Sequence, residues 1–283
     1  MIAITGATGH LGRLVISALL KKAPASGIVA VVRNAEKAKD LAALGVHVRY
    51  ADYNQPSTWD DALKGADKVL LISASEVGQR AKQHRSVIDA AKRAAVKLLA
   101  YTSVLRADSS PLGLAVEHRD TEAMIRAAGI PFTLLRNSWY TENHTAGMPG
   151  ILTQGAVYGC AGEGRVSSAS RVDYAEAAAY VLTEERQAGR VYELAGDTAY
   201  TLAELAVEIS RQSGRNIGYV NLPEAEFKKA LVKAGLPEVV AALLADSDTG
   251  ISKGGLFDDG RQLSSIIGRP TTSLATSVAA AMK

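Results

Sequence analysis

The chain has 283 residues, 47% hydrophobic and 22% charged, with a formal net charge of +3, which fits one large or two modest soluble domains with an ample core. The charge is small and the Lys and Arg residues are scattered, which argues against nucleic acid as a partner. No apolar run approaches the roughly 18 residues that span a bilayer, so no membrane insertion is expected. One cysteine, Cys160, excludes an intrachain disulfide and fits a reducing, cytoplasmic setting.

The first 136 residues alternate short apolar runs with longer mixed segments. "IAIT" reads as a strand, and the next segment places Leu11, Leu14, Val15, Ala18 and Leu19 on one helical face. "GIVAVVRN" is a second strand, and "AEKAKDLAALG" a helix closed by Gly45. "VHVRYADY" is a third strand, followed by a helix that starts at Pro56 or Ser57 and ends at Gly65. "KVLLISAS", "KLLAYTS" and "PFTLLRN" are further strands, separated by the helices "RAKQHRSVIDAAKRAAV" and "LAVEHRDTEAMIRAAG". Continuous apolar strands alternating with helices predict an α/β fold of the Rossmann type, a doubly wound parallel sheet buried on both faces.

After residue 137 the rhythm loosens. An amphipathic helix is expected from Asp173, a strand at "RVYELAG", and a helix opened by Thr201 with Glu204 three residues on, a capping box. "NIGYVNLP" reads as a strand, and "EAEFKKALVKAG" and "PEVVAALLADSD" as helices. Residues 246–260 read as a mobile loop, and a short helix ends the chain. The expected organisation is a nucleotide-binding domain over 1–195, with 139–172 contributing to its cleft, and a smaller C-terminal α/β lobe over 196–283 that closes over the carboxyl ends of the strands.

Gly6, Gly9 and Gly12 leave the first strand and open the first helix with G-x-x-G-x-x-G spacing. Gly6 permits the sharp turn, Gly9 a close approach of backbone to a pyrophosphate, and Gly12 close packing of the helix. The free N–H groups and partial positive charge of a helix N-terminus then face the phosphates. The loop from Gly6 through Ala7, Thr8, Gly9, His10, Leu11 and Gly12 is therefore read as a dinucleotide cradle. An NAD site usually has an acid about 20 residues past the glycines. Here Arg33 stands there, which favours NADPH, although Glu36 is near in sequence. Asp52 and Tyr53 either flank the adenine or form an ordinary turn.

With this loop, Arg33, "YTS" and "LLRNSWYTEN", the chain resembles the NmrA-like atypical short-chain dehydrogenase/reductases, most closely the bacterial NADPH:quinone oxidoreductase type. The likeness covers nearly the whole chain and extends through "SEVGQRAKQHRSVIDAAK", "SSPLGLAVEH", "YELAGD" and "SKGGLFDD". It implies NADPH as cofactor, no flavin, and a small-molecule quinone as substrate. It also implies cofactor contacts at the 6–12 loop, Arg33, Ser73, Ala74 and Ser75, and along Asn137, Ser138, Trp139, Tyr140, Thr141, Glu142 and Asn143. Relatives that reduce triphenylmethane dyes, and NmrA-type redox sensors without catalysis, share the plan and stand as alternatives.

The Tyr-x-x-x-Lys pair of typical short-chain dehydrogenases is absent: no tyrosine has lysine four residues on. Ser103 stands where the accompanying serine would stand, and His118 and Glu122 lie four apart on one helix. Reducing a ketone develops a basic alkoxide that needs a placed acid. Reducing a quinone gives a phenolate whose pKa is roughly 10, like tyrosine's, so positioned donors suffice. Asn137, Tyr140 and Ser103 are the candidate catalytic donors. On the plainer reading Trp139 and Tyr140 pack a domain junction, His118 is a surface or salt-linked residue, Glu122 supports helix charge, and Cys160 is structural. The five histidines have no metal-ligand spacing.

Overall fold

The alternation of apolar runs and helical segments becomes a parallel sheet covered on both faces in the computed structural model of the chain, which describes every residue except Ser75 and Val77. The chain divides into two compact units, one of Met1–Val104, Glu117–Asn137 and Arg171–Tyr192, the other of Leu105–Val116, Ser138–Ser170 and Glu193–Lys283.

The first unit opens with β1 (Ile2–Ile4), α1 (His10–Leu19), β2 (Ile28–Val32), α2 (Lys39–Ala43), β3 (His47–Tyr50), α3 (Thr58–Leu63) and β4 (Lys68–Leu71). It continues with α4 (Arg80–Arg93), β5 (Leu98–Val104), most of α5 (Ala115–Ala128), β6 (Phe132–Asn137), α8 (Arg171–Thr183) and the start of β8 (Arg190–Leu194). The sheet order is β3-β2-β1-β4-β5-β6-β8, and the five pairings from β3 to β6 are all parallel. The winding direction reverses between β1 and β4. That reversal is the topological switch point where open α/β sheets take their ligands.

Strands such as β2 and β5 are buried along their whole length because both faces are covered. One face buries Val31, Trp59, Leu71, Ile88, Tyr101 and Ile125 in a single cluster with residues of α3, α4 and α5. On the other, α1 buries Leu11, Val15, Ile16 and Leu19 and packs against α8. The α8 segment reads as amphipathic, yet eight of its 13 residues are buried. Helix α1 and strands β4, β5 and β6 all contact it, and its alanines let those neighbours approach closely. The expected helix at 35–45 is broken: Ala35–Ala38 forms a 3-10 turn, and Ala38 leaves helical geometry before α2 begins.

The second unit holds α6 (Thr141–Thr145), α7 (Met148–Gln154), β7 (Ala156–Gly159), α9 (Leu202–Ser213), β9 (Gly218–Asn221), α10 (Glu224–Lys233), α11 (Glu238–Ser252), α12 (Gln262–Ile267) and α13 (Leu274–Ala281). Strands β7 and β9 form a separate parallel pair. The capping box of α9 is formed in both directions: Glu204 N–H donates to Thr201 Oγ1 at 3.1 Å and Thr201 N–H to Glu204 Oε2 at 2.7 Å. The expected mobile loop at 246–260 is corrected at its start, because α11 runs on through Ser252. Ala241, Ala245, Asp248 and Ile251 are buried at helical spacing, and the Ser247 hydroxyl bonds back to the Leu243 carbonyl, so the polar run stays helical. Elements α6, α7, β7 and α12 have no counterpart in the sequence reading, being short segments without a full apolar period. Among the described residues no helix is long and apolar enough to cross a membrane.

Candidate active site

In the first unit the exits of β1 and β4 lie side by side. Thr5, fully buried, ties them together: its N–H donates to the Leu70 carbonyl at 3.0 Å, and its Oγ1 accepts from Ile72 N–H at 3.0 Å. The chain then turns sharply. Gly6 has φ +58°, in the left-handed region that favours glycine, and Gly9 N–H closes the turn on the Gly6 carbonyl at 2.9 Å. At Gly12 a Cβ would sit 2.4 Å from Gly6 O and 2.8 Å from Ala7 Cα, so the helix start lies directly on the loop's own backbone. Gly9 is less confined, its Cβ meeting only Gly6 O at 3.1 Å. Helix α1 starts behind Gly9 with no side-chain cap and no acidic residue in its first turn. Its leading N–H groups and positive dipole end are thus arranged for an anion. A tight turn onto which the helix start packs at Gly12, with that helix start uncapped, fits a dinucleotide pyrophosphate.

Arg33 follows β2 with a solvent-exposed side chain. Glu36, the acid near it in sequence, pairs instead with Lys39. Asp52 and Tyr53 serve partly as a turn: Asp52 Oδ1 accepts from Asn54 N–H at 2.9 Å. Tyr53 turns toward β1, and its hydroxyl donates to Thr5 Oγ1 at 3.1 Å, with burial raising the phenol to about 12.

The β4 exit is held by side chains that the sequence reading did not single out. Ser73 N–H donates to Thr102 Oγ1 at 2.8 Å, Ala74 N–H to His84 Nε2 at 2.9 Å, and Arg80 Nε–H to the Ala74 carbonyl at 2.7 Å. Since Nε2 of His84 accepts, Nδ1 carries the proton and donates to Thr121 Oγ1 at 2.9 Å. The Thr121 hydroxyl in turn donates to the Glu117 carbonyl at 2.9 Å. Burial, with the Arg80 charge adding to it, lowers His84 to about 3, which keeps the ring neutral and the pin intact. Ser75, the third residue expected there, lies outside the described residues.

The candidate acids of α5 have other partners. His118 is buried rather than on the surface, and its Nδ1 lies 2.7 Å from the Tyr101 hydroxyl. Burial, then the nearby Arg80 and His84, lower it to about 3. Glu122 is buried and, besides lying 3.9 Å from Arg126 one turn along its helix, is the partner of Arg136, held at 2.9 and 2.6 Å in a fork. The Ser103 hydroxyl donates to Glu122 Oε1 at 2.6 Å, so its proton is committed to that ion pair. Asn137 ends β6 as a buried side chain.

In the second unit, residues 138–145 form a stiff strap. Ser138 Oγ donates to the Leu256 carbonyl at 3.1 Å. Thr141 N–H donates to Ala169 O at 3.0 Å, and Ala169 N–H to Trp139 O at 3.1 Å. A hydroxyl chain runs from Thr141 Oγ1 through Ser168 Oγ (2.8 Å) and the Tyr200 hydroxyl (2.8 Å) to His144 Nδ1 (2.9 Å). Gly196 is required beside it, because a Cβ there would lie 2.1 Å from Ser168 O. Trp139, Tyr140 and Glu142 are half-buried on this strap. Cys160 is structural: its Sγ donates to the Ala245 carbonyl at 3.2 Å, and burial raises the thiol to about 11. No group of His, Cys, Asp and Glu among the described residues is arranged to hold a metal ion.

Comparison with known proteins places these features in a family. The chain is 59% identical over 278 residues to Quinone oxidoreductase 2 of Escherichia coli (strain K12), covering 98% of this chain and 97% of that one. The crystal structure of the NADPH-dependent quinone oxidoreductase QOR2 of Escherichia coli complexed with NADPH superimposes with a TM-score of 0.98 at 57% identity, over 100% of both chains. The Citrobacter sp. triphenylmethane reductase complexed with NADP(H) gives a TM-score of 0.95 at 42% identity, over 99% of this chain and 100% of that one. Residues 1–277 match the NmrA-like family, and the chain belongs to it.

Proposed function

We propose that this protein is an NADPH-dependent quinone oxidoreductase that carries out a two-electron reduction without flavin. The observation that carries the reading is the uncapped start of α1 over the Gly6–Gly12 backbone, in a chain so close over its full length to a quinone oxidoreductase solved with NADPH. When bound, NADPH supplies the hydride. The chain's own residues bind and orient. Within the 6–12 loop, the N–H groups of His10, Leu11 and Gly12 at the start of α1 take the pyrophosphate. Arg33 faces the 2′-phosphate, and Ser73 and Ala74, fixed by Thr102, His84 and Arg80, line the cofactor. Asn137 and Tyr140 are the proposed donors to the quinone oxygen.

A phenolate of pKa roughly 10 forms there, and water protonates it once donors have held it. The reading therefore needs no buried acid, in keeping with neutral His118 and with a Ser103 hydroxyl given to Glu122. The test is loss of NADPH absorbance by purified protein, without added flavin, across benzo-, naphtho- and methyl-quinones, with a triphenylmethane dye alongside. Turnover of quinones is expected. A dye reduced with no quinone turned over, or NADPH bound with neither reduced, would overturn it.

A further inference from the structure

Arg33 has a partner that lies 43 positions further along the chain. Its Nη1 is 3.6 Å from Glu76 Oε1, and the second carboxylate oxygen, Oε2, accepts from Gln83 Nε2 at 2.8 Å. Gln83 is 1% exposed, so Glu76 rests on a fixed donor supplied by α4. The side chains of Arg33 and Glu76 are themselves 65% and 49% exposed, open to an incoming ligand. Gln83 Oε1 has no hydrogen-bond partner among the described residues. Reversing that amide would set oxygen against carboxylate, so the Gln83 donor is committed to Glu76. The other acids near the β2 exit are engaged elsewhere, Glu36 with Lys39 and Asp40 with Arg13. Glu76 is thus the carboxylate that meets Arg33.

We infer that Glu76 is a specificity-determining residue: it is the counter-ion of Arg33 in the cofactor-free protein and holds down the preference for NADPH over NADH. This rests on the dinucleotide reading above. A 2′-phosphate brings a charge of about −2 to the guanidinium. It must displace the Glu76 carboxylate and then stand near it. The 2′-hydroxyl of NADH meets no such repulsion and can donate to the same carboxylate. Because both side chains are exposed, solvent and salt screen the effect to a few-fold.

The experiment measures the dissociation constants of NADPH and NADH for the full chain by fluorescence titration, without quinone. Glu76→Gln keeps the size and removes the charge. The expected result is a rise of about three- to five-fold in the affinity ratio of NADPH to NADH, shrinking as salt is added. Glu76→Asp should stay near the wild-type ratio, and the shift should shrink in an Arg33→Ala background, where only the direct effect of the carboxylate on the ligand is left. Competition by 2′,5′-ADP against 5′-AMP should reproduce the same ratio change, isolating the phosphate. An equal change for both cofactors, or an unchanged shift without Arg33, would overturn the role of Glu76 while leaving the dinucleotide reading intact. Wild-type protein that binds neither cofactor would bring down both.

Discussion

Acidification from pH 6.5 to 5 should weaken the fold, and three buried imidazoles set the size of the effect. Burial lowers His84 and His118 to about 3 and His144 to about 4, from an ordinary value of 6.5. At pH 5 each is neutral in the folded chain and charged in the unfolded one, so unfolding takes up close to one proton at each. Asp248 works the other way. Burial raises its carboxyl from 3.8 to about 6, so the folded chain holds a proton there that the unfolded chain has released. The net uptake at pH 5 is about two protons. Stability should therefore fall as the pH is lowered, by about 2–3 kcal/mol per unit in the lower part of this window. The carboxylates held low, such as Asp67 and Glu208 at about 2, act mainly below this window and add to the loss at its acid end. Urea unfolding at pH 6.5, 6, 5.5 and 5 measures the slope. His84→Gln and His118→Gln should each flatten it by about one proton, and Asp248→Asn should steepen it by about one. A stability that is flat or rises on acidification, or a slope that Asp248→Asn reduces, would refute the reasoning.

Four further outcomes are expected. Gly12→Ala forces a Cβ against Gly6 O and Ala7 Cα; thermal melts should show a loss of about 1–3 kcal/mol, and titration at least a tenfold loss of NADPH affinity, whereas Gly9→Ala should fold normally. Glu122→Ala leaves the buried Arg136 guanidinium without its forked carboxylate and should cost about 3–5 kcal/mol by denaturant unfolding. Ser103→Ala should cost about 1–2 kcal/mol while quinone turnover stays within about threefold, since that hydroxyl proton already belongs to Glu122. Thr201→Ala removes the cap of α9 and should lower stability by about 1 kcal/mol with no change in NADPH affinity.

The sequence by itself determined the elements whose signals are local. Strand runs such as "IVAVV", the glycine loop and the Thr201–Glu204 box depend on neighbours within a few positions, so their pattern survives in one dimension. The doubly wound fold, and the reading of the glycine loop as an anion cradle, followed from them. Tertiary structure decided what depends on partners far apart in the chain. His118 read as a surface or salt-linked residue and Glu122 as a helix charge until β5 and β6 brought Tyr101, Ser103 and Arg136 against them. His84 carried no motif, yet it fixes the β4 exit through Ala74, ten positions away. Arg33 read as a cation awaiting a phosphate, with Glu36 the acid in doubt; folding gave Glu36 to Lys39 and set Glu76 beside Arg33 instead. Hydrogen bonds and ion pairs act over a few ångströms, and only the folded chain decides which distant residues come that close.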